Sequence, residues 1–129
     1  MRAIDTNVVV RFLTKDDRRQ FQRANAAIEG GNIFLSRTVL LESEWVLRSA
    51  YGFPAGRIVG ALRGLAGLPG VTVEEPALIA QALDWMADGM DFADALHLGN
   101  AWGCEAFLTF DRKLAKAASG RSELRIEEP

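Results

Sequence analysis

Two carboxylates stand directly after short apolar runs, Asp5 in IDTN and Asp111 in LTFD. If those runs are strands of a parallel sheet, both acids fall at strand carboxyl ends, where open α/β sheets gather their ligands. Each alone is equally well explained as a helix N-cap, a role Asp fills readily. Together they say more, because like charges at one sheet edge repel unless a proton or cation intervenes. A third acid comes from the helix expected over 38–50. At about 100° per residue, Val39, Leu40, Val46, Leu47 and Ala50 form a broad apolar arc, with Glu42 at its margin beside Val46 and Ser49. A carboxylate drawn against apolar surface needs a partner, so Glu42 is the functional candidate. Glu44 is expected opposite the arc, in a surface pair with Arg48 four residues on. The fourth acid lies in MDFADALHL. There Asp94 shares its side of a helix with Leu98 and Ala101 and is expected to point inward. Asp91 either caps that helix or holds a metal-bound water. Thr6, Asn7 and Thr109 are placed to orient carboxylates or water, although Thr6 and Asn7 suit a helix start equally well.

The chain has one histidine, His97, and one cysteine, Cys104. That excludes Cys-based zinc clusters, His-rich metal sites, internal disulfides and two-histidine catalysis. Several carboxylates without His or Cys partners suit a hard divalent cation, Mg²⁺ with Mn²⁺ as a substitute. Phosphodiester hydrolysis is the natural chemistry of such a set. A glycosidase-like acid pair would use only two of the four groups. An aspartyl-phosphate phosphatase also places an Asp after a first strand, but it usually wants a second Asp two positions on, where this chain has Asn7. Arg11, Lys15, Arg18, Arg19 and Arg23 cluster in the N-terminal third; Arg112 and Lys113, beside Asp111, are chosen as the substrate-phosphate contacts. His97 is expected at the surface, and Trp45, Trp85 and Trp102 in the core or an interface.

The elements that must position these groups alternate. Strands are expected at 3–4, 33–35, 71–73, 106–109 and 124–126. Helices are expected at 6–13, 16–29, 38–50, 54–68, 77–88, 92–103 and 112–118. Strands separated by helices imply a mostly parallel sheet between helical layers. The 129 residues suit one α/β domain, 1–129, and the pattern shows no repeat or linker. With 49% hydrophobic and 25% charged residues and a mean hydropathy of +0.03, disorder is excluded. No apolar run reaches the roughly 18 residues of a membrane span. The early Asp5 argues against a secretory signal, and cysteine usage points to a reducing, cytoplasmic setting. Fifteen basic against seventeen acidic residues give a net charge of −2, which at first weighs against a nucleic-acid partner.

Four ordered segments, IDTNVVVRFL, TVLLESEWVLRSAYG, DFADALHL and LTFDRKL, give the chain a specific likeness. It resembles the PIN domain, and within it the VapC-type toxin ribonucleases of bacterial toxin–antitoxin pairs, over essentially its whole length. The resemblance implies a three-layer α/β/α fold with a sheet of about five strands. It makes Asp5, Glu42, Asp94 and Asp111 an acidic quartet around Mg²⁺ or Mn²⁺, with Thr6, Asn7, Asp91 and Thr109 in support. It further implies RNA cleavage, a homodimer, inhibition by a cognate antitoxin in a hetero-oligomer, and operator DNA contact only through that antitoxin. The helical segment 52–68 carries Ile58, Val59, Leu62 and Leu65 at helical spacing, which either line an antitoxin groove or pack in the core. A non-catalytic module that binds RNA or antitoxin is the alternative from another class of function.

Overall fold

The computed structural model describes residues 1–129, which divide into two compact units, Met1–Pro76 and Ala77–Pro129. The first unit begins with β1 (Arg2–Ala3), α1 (Thr6–Thr14), α2 (Arg18–Glu29) and β2 (Ile33–Leu35). It continues through α3 (Arg37–Ser49), α4 (Ala55–Ala66) and β3 (Val71–Val73). The three strands pair in parallel in the order β1-β2-β3, with Ile33 opposite both Arg2 and Val71. Parallel pairing follows from the helices that join each strand to the next. The central strand is the most buried, Ile33 and Leu35 being shut off from solvent, and Val9, Leu40, Leu47, Ile58, Leu62 and Leu65 are buried with them.

Two glycines allow the sheet to close at its amino-terminal end. Gly31 has φ +75, and a Cβ added to Gly70 would stand 2.6 Å from the Gly31 Cα. Only a residue without a side chain tolerates that approach. The same backbone carries a hydrogen bond from Ile33 N to the Gly70 carbonyl, 2.9 Å, just ahead of the β2–β3 ladder. The apolar residues of α4, Ile58, Val59, Leu62 and Leu65, are all buried, so of their two expected roles packing is the one seen here.

The second unit holds α5 (Pro76–Ala87) from Ala77 onward, α6 (Phe92–Asn100), β4 (Ala106–Leu108), α7 (Arg112–Ala118) and β5 (Arg125–Glu127). Strands β4 and β5 pair in parallel, and Thr109 N extends the ladder to the Glu127 carbonyl at 2.9 Å. Ile79, Leu83, Trp85, Met86, Phe92, Leu96 and Leu98 form the buried apolar set.

The α/β pattern of seven helices with parallel strands is the expected one, and five strands form. They are hydrogen-bonded as sheets of three and two rather than as one sheet of about five. Strands of two or three residues contribute few ladder bonds, and β1 contributes only Arg2 and Ala3. Trp85 is buried as expected, but Trp45 and Trp102 are not core residues: they are 56% and 91% exposed. No helix is long and apolar enough to cross a membrane.

Candidate active site

In the first unit, Asp5 sits in extended backbone and starts α1. Its Oδ1 accepts a hydrogen bond from Val8 N at 3.0 Å, which satisfies one of the open amides of the helix end. That cap uses one carboxylate oxygen. A cavity of about 530 Å³ opens here, walled by Asp5, Thr6 and Asn7, by Val10 and Arg11 one turn on, and by Val39, Glu42, Val46 and Tyr51. Positions 39, 42 and 46 are neighbours on α3 by their spacing of three and four, so Glu42 stands between two valines on the stripe that faces the cavity. Asp5, Glu42, Thr6 and Asn7 are therefore brought together.

Glu44 corrects the sequence expectation. It is 1% exposed, on a buried stripe with Leu40, Ser43 and Leu47, and it binds Arg48 through Nε–Oε2 at 2.8 Å. The pair with Arg48 is the expected one, but the expected surface location is overturned, because the carboxylate is buried. Ser43 is polar by type yet fully buried. At about 100° per residue Glu44 falls only about 40° beyond Leu40, at the other margin of the same arc rather than opposite it, and that margin is the one buried.

In the second unit, Asp91 caps α6, its Oδ2 accepting from Asp94 N at 3.1 Å. Of its two expected roles, the cap is the one seen. Asp94 lies half-buried in the first turn of the same helix. Asp111 caps α7 through Leu114 N at 3.0 Å, and its own N–H donates to Thr109 Oγ1 at 2.9 Å, so Thr109 fixes the turn that carries Asp111. Burial raises the pKa of the Asp94 carboxyl, and the negative charges of Asp91 and Asp111 raise it further, while His97 and Lys113 pull the other way. Asp91, Asp94 and Asp111 thus share one electrostatic neighbourhood, and Lys113 acts on it. Arg112 and Lys113 are themselves exposed, as is His97.

Two polar residues of the first cavity, Arg11 and Tyr51, were not singled out as site residues. Arg11 had a signal, since it lies four positions after Asn7 on the same helix face. Tyr51 had none, because it lies two residues beyond the end of α3 and its partners are distant in sequence.

The sequence profile of the PIN domain family matches residues 3–120. The chain belongs to the PIN domain family. PIN domains are generally nucleases and commonly bind divalent metals such as Mg²⁺. No curated protein and no solved structure matches the chain. The donor set of this PIN domain fits such an ion on two observations. The acids offer oxygen alone, and beyond the larger effect of burial the negative charges of Asp91 and Asp111 also raise the proton affinity of Asp94, a repulsion that a cation relieves. Neither unit by itself gathers three His, Cys, Asp or Glu side chains into a ready cage. Mg²⁺ does not require one, since it usually takes one or two carboxylates, keeps waters and is completed by substrate phosphates.

Proposed function

We propose that this PIN domain is a Mg²⁺-dependent endoribonuclease and the toxin of a VapC-type toxin–antitoxin pair. The observation that carries the nuclease assignment is the sharing of one cavity by Asp5 and Glu42, with Thr6 and Asn7 beside them. Asp5, Asp94 and Asp111 would hold the ion, with Glu42 completing the set, by their correspondence to the family's acidic quartet. When bound, the ion supplies positive charge to phosphate oxygens and makes a bound water more acidic. Glu42, on the cavity wall between Val39 and Val46, accepts a proton from the attacking water. Thr6 and Asn7 orient that water and Asp5. Arg112 and Lys113, next to Asp111, attract the RNA backbone. In-line attack by water forms a P–O bond as the opposite P–O bond to a ribose oxygen breaks, that oxygen leaves with a proton from solvent, and the ribose 2′-OH has no role as nucleophile.

The toxin assignment adds a homodimer and a cognate antitoxin as partners and the cytoplasm as the setting, all supported by the four ordered segments. The test is cleavage of total RNA, with and without Mg²⁺, by the wild type and Asp5→Asn. Cleavage should need the metal, stop in EDTA, and fall at least about 100-fold in the variant, the scale seen when one group of a catalytic constellation is removed. Circular dichroism should be unchanged, because Asn caps a helix as well as Asp. Full activity of Asp5→Asn, or undiminished activity in EDTA, sinks the mechanism. RNA binding without any turnover favours the binding-module alternative.

A further inference from the structure

Asp5, Asn7 and Arg11 line two cavities at once. The first holds Glu42; the second, of about 480 Å³, is walled on its far side by α2, including Gln20 and Arg23. Helix α1 is therefore a ridge between two adjoining hollows, and Arg11 is the only cation that borders both.

Arg11 is held in place by residues from three segments. Its Nε donates to Gln20 Oε1 at 2.6 Å, and its Nη1 lies 3.0 and 3.1 Å from the two Asp16 oxygens and 3.1 Å from Tyr51 Oη. The Tyr51 hydroxyl donates to Asp16 Oδ2 at 2.6 Å, and the Thr14 hydroxyl lies 2.8 Å from Asp16 Oδ1. These bonds occupy Nε and Nη1. They leave the paired N–H groups of Nη2 on a guanidinium that cannot turn away. Asp16 offsets the charge of Arg11, so what remains for a ligand is the Nη2 N–H groups rather than net positive charge. With Nε and Nη1 engaged, neither parallel edge of the guanidinium is free, and Nη2 can give single charge-assisted hydrogen bonds to phosphate oxygens. The carboxylates of the first cavity repel a phosphate, and a fixed donor beside them is what seats one there.

We propose that Arg11 contacts an RNA backbone phosphate adjoining the cleaved one, and that Asp16 and Tyr51 are positioning residues that aim it. The strand then runs over α1 from the Asp5–Glu42 cavity into the second cavity, where Arg23 meets the next phosphate. This assignment rests on the ribonuclease function proposed above.

The test compares Arg11→Lys and Tyr51→Phe with the parent protein, all carrying Asp5→Asn to block cleavage. The probe is a fluorescein-labelled single-stranded RNA of mixed sequence, read by anisotropy in Mg²⁺. Lysine keeps the charge but loses the N–H groups that Gln20, Asp16 and Tyr51 hold in place, and should weaken binding about tenfold. Tyr51→Phe keeps the ring that packs edge-on to Phe53 and loses only the hydroxyl; it should weaken binding about threefold, with the melting temperature shifted by only a few degrees. In the cleaving background, excess RNA should restore the rate of Tyr51→Phe, which a general loss of structure would not allow. If Arg11→Lys does not fold, Tyr51→Phe decides. Unchanged affinity in the folded variants, while wild type cleaves total RNA, overturns the role of Arg11 and leaves the nuclease assignment intact. A wild type that neither binds nor cleaves RNA overturns both.

Discussion

Glu42 and Glu44 stand two residues apart on α3 and do opposite work. Glu42 faces the cavity and is exposed, so Glu42→Gln should abolish cleavage while stability stays within about 0.5 kcal/mol. Glu44 is buried against the half-exposed Arg48 side chain. Glu44→Gln should leave RNA affinity intact and cost about 1–2 kcal/mol in urea denaturation, less than a fully buried pair because solvent screens Arg48. Asp16 gives a pH prediction. Its hydrogen bonds from Tyr51 and Thr14, and then the Arg11 pair, lower its pKa from 3.8 to about 2. A carboxylate with a depressed folded-state pKa stabilises the protein above its unfolded value and loses that contribution as pH falls through the folded one. Wild type should therefore melt above Asp16→Asn at neutral pH, and the gap should close between about pH 4 and pH 2 in thermal scans.

At the scale of elements, β2, β3 and α7 fall on the residues that local pattern predicts, and the other elements shift by a few residues at their ends. Punctuation explains this: Gly30-Gly31 closes α2, Pro54 precedes α4, and Asp5, Asp91 and Asp111 open their helices. Which face a helix buries was harder to read. On α3, Glu42 and Glu44 flank the two margins of one apolar arc, and only the packing of neighbouring elements decides which margin is buried. The clamp on Arg11 was illegible for another reason, since Tyr51 and Asp16 are 35 residues apart and only the packing of α1 with α2 and α3 sets their geometry. The glycine contact between the β2 and β3 entries is likewise nonlocal. Gly70→Ala would press a methyl group against Gly31, and should cost about 1–3 kcal/mol in urea denaturation, the usual penalty of overpacking, with little effect on chemistry at Asp5.

Across the whole chain, the net charge of −2 does not by itself oppose the RNA proposed as substrate. Setting the four proposed ligands aside, seventeen acidic residues become thirteen, against fifteen basic ones. RNA affinity should then depend on the cation that neutralises those acids and on basic residues in contact with phosphate. Raising NaCl from about 50 to 200 mM at constant Mg²⁺ should weaken RNA binding with a log–log slope of about −0.7 for each phosphate contacted. Lys113→Gln should flatten that slope by roughly one such step. An unchanged slope removes Lys113 from the RNA contact surface.

Asp5 and Asp111 each tie down the first turn of a helix with one oxygen while standing among the proposed metal ligands. Loss of either carboxylate is therefore two injuries in one, and, if expression proves toxic as proposed, a selection for survivors would not sort them. Alanine at position 5 would be recovered both as an inactive enzyme and as a protein with a frayed helix, prone to proteolysis. Asparagine separates the two, because it keeps the cap and discards the charge. Among escape mutants, accumulation of full-length protein should accordingly divide the position 5 alleles by their capping ability, even though all of them fail to cleave RNA.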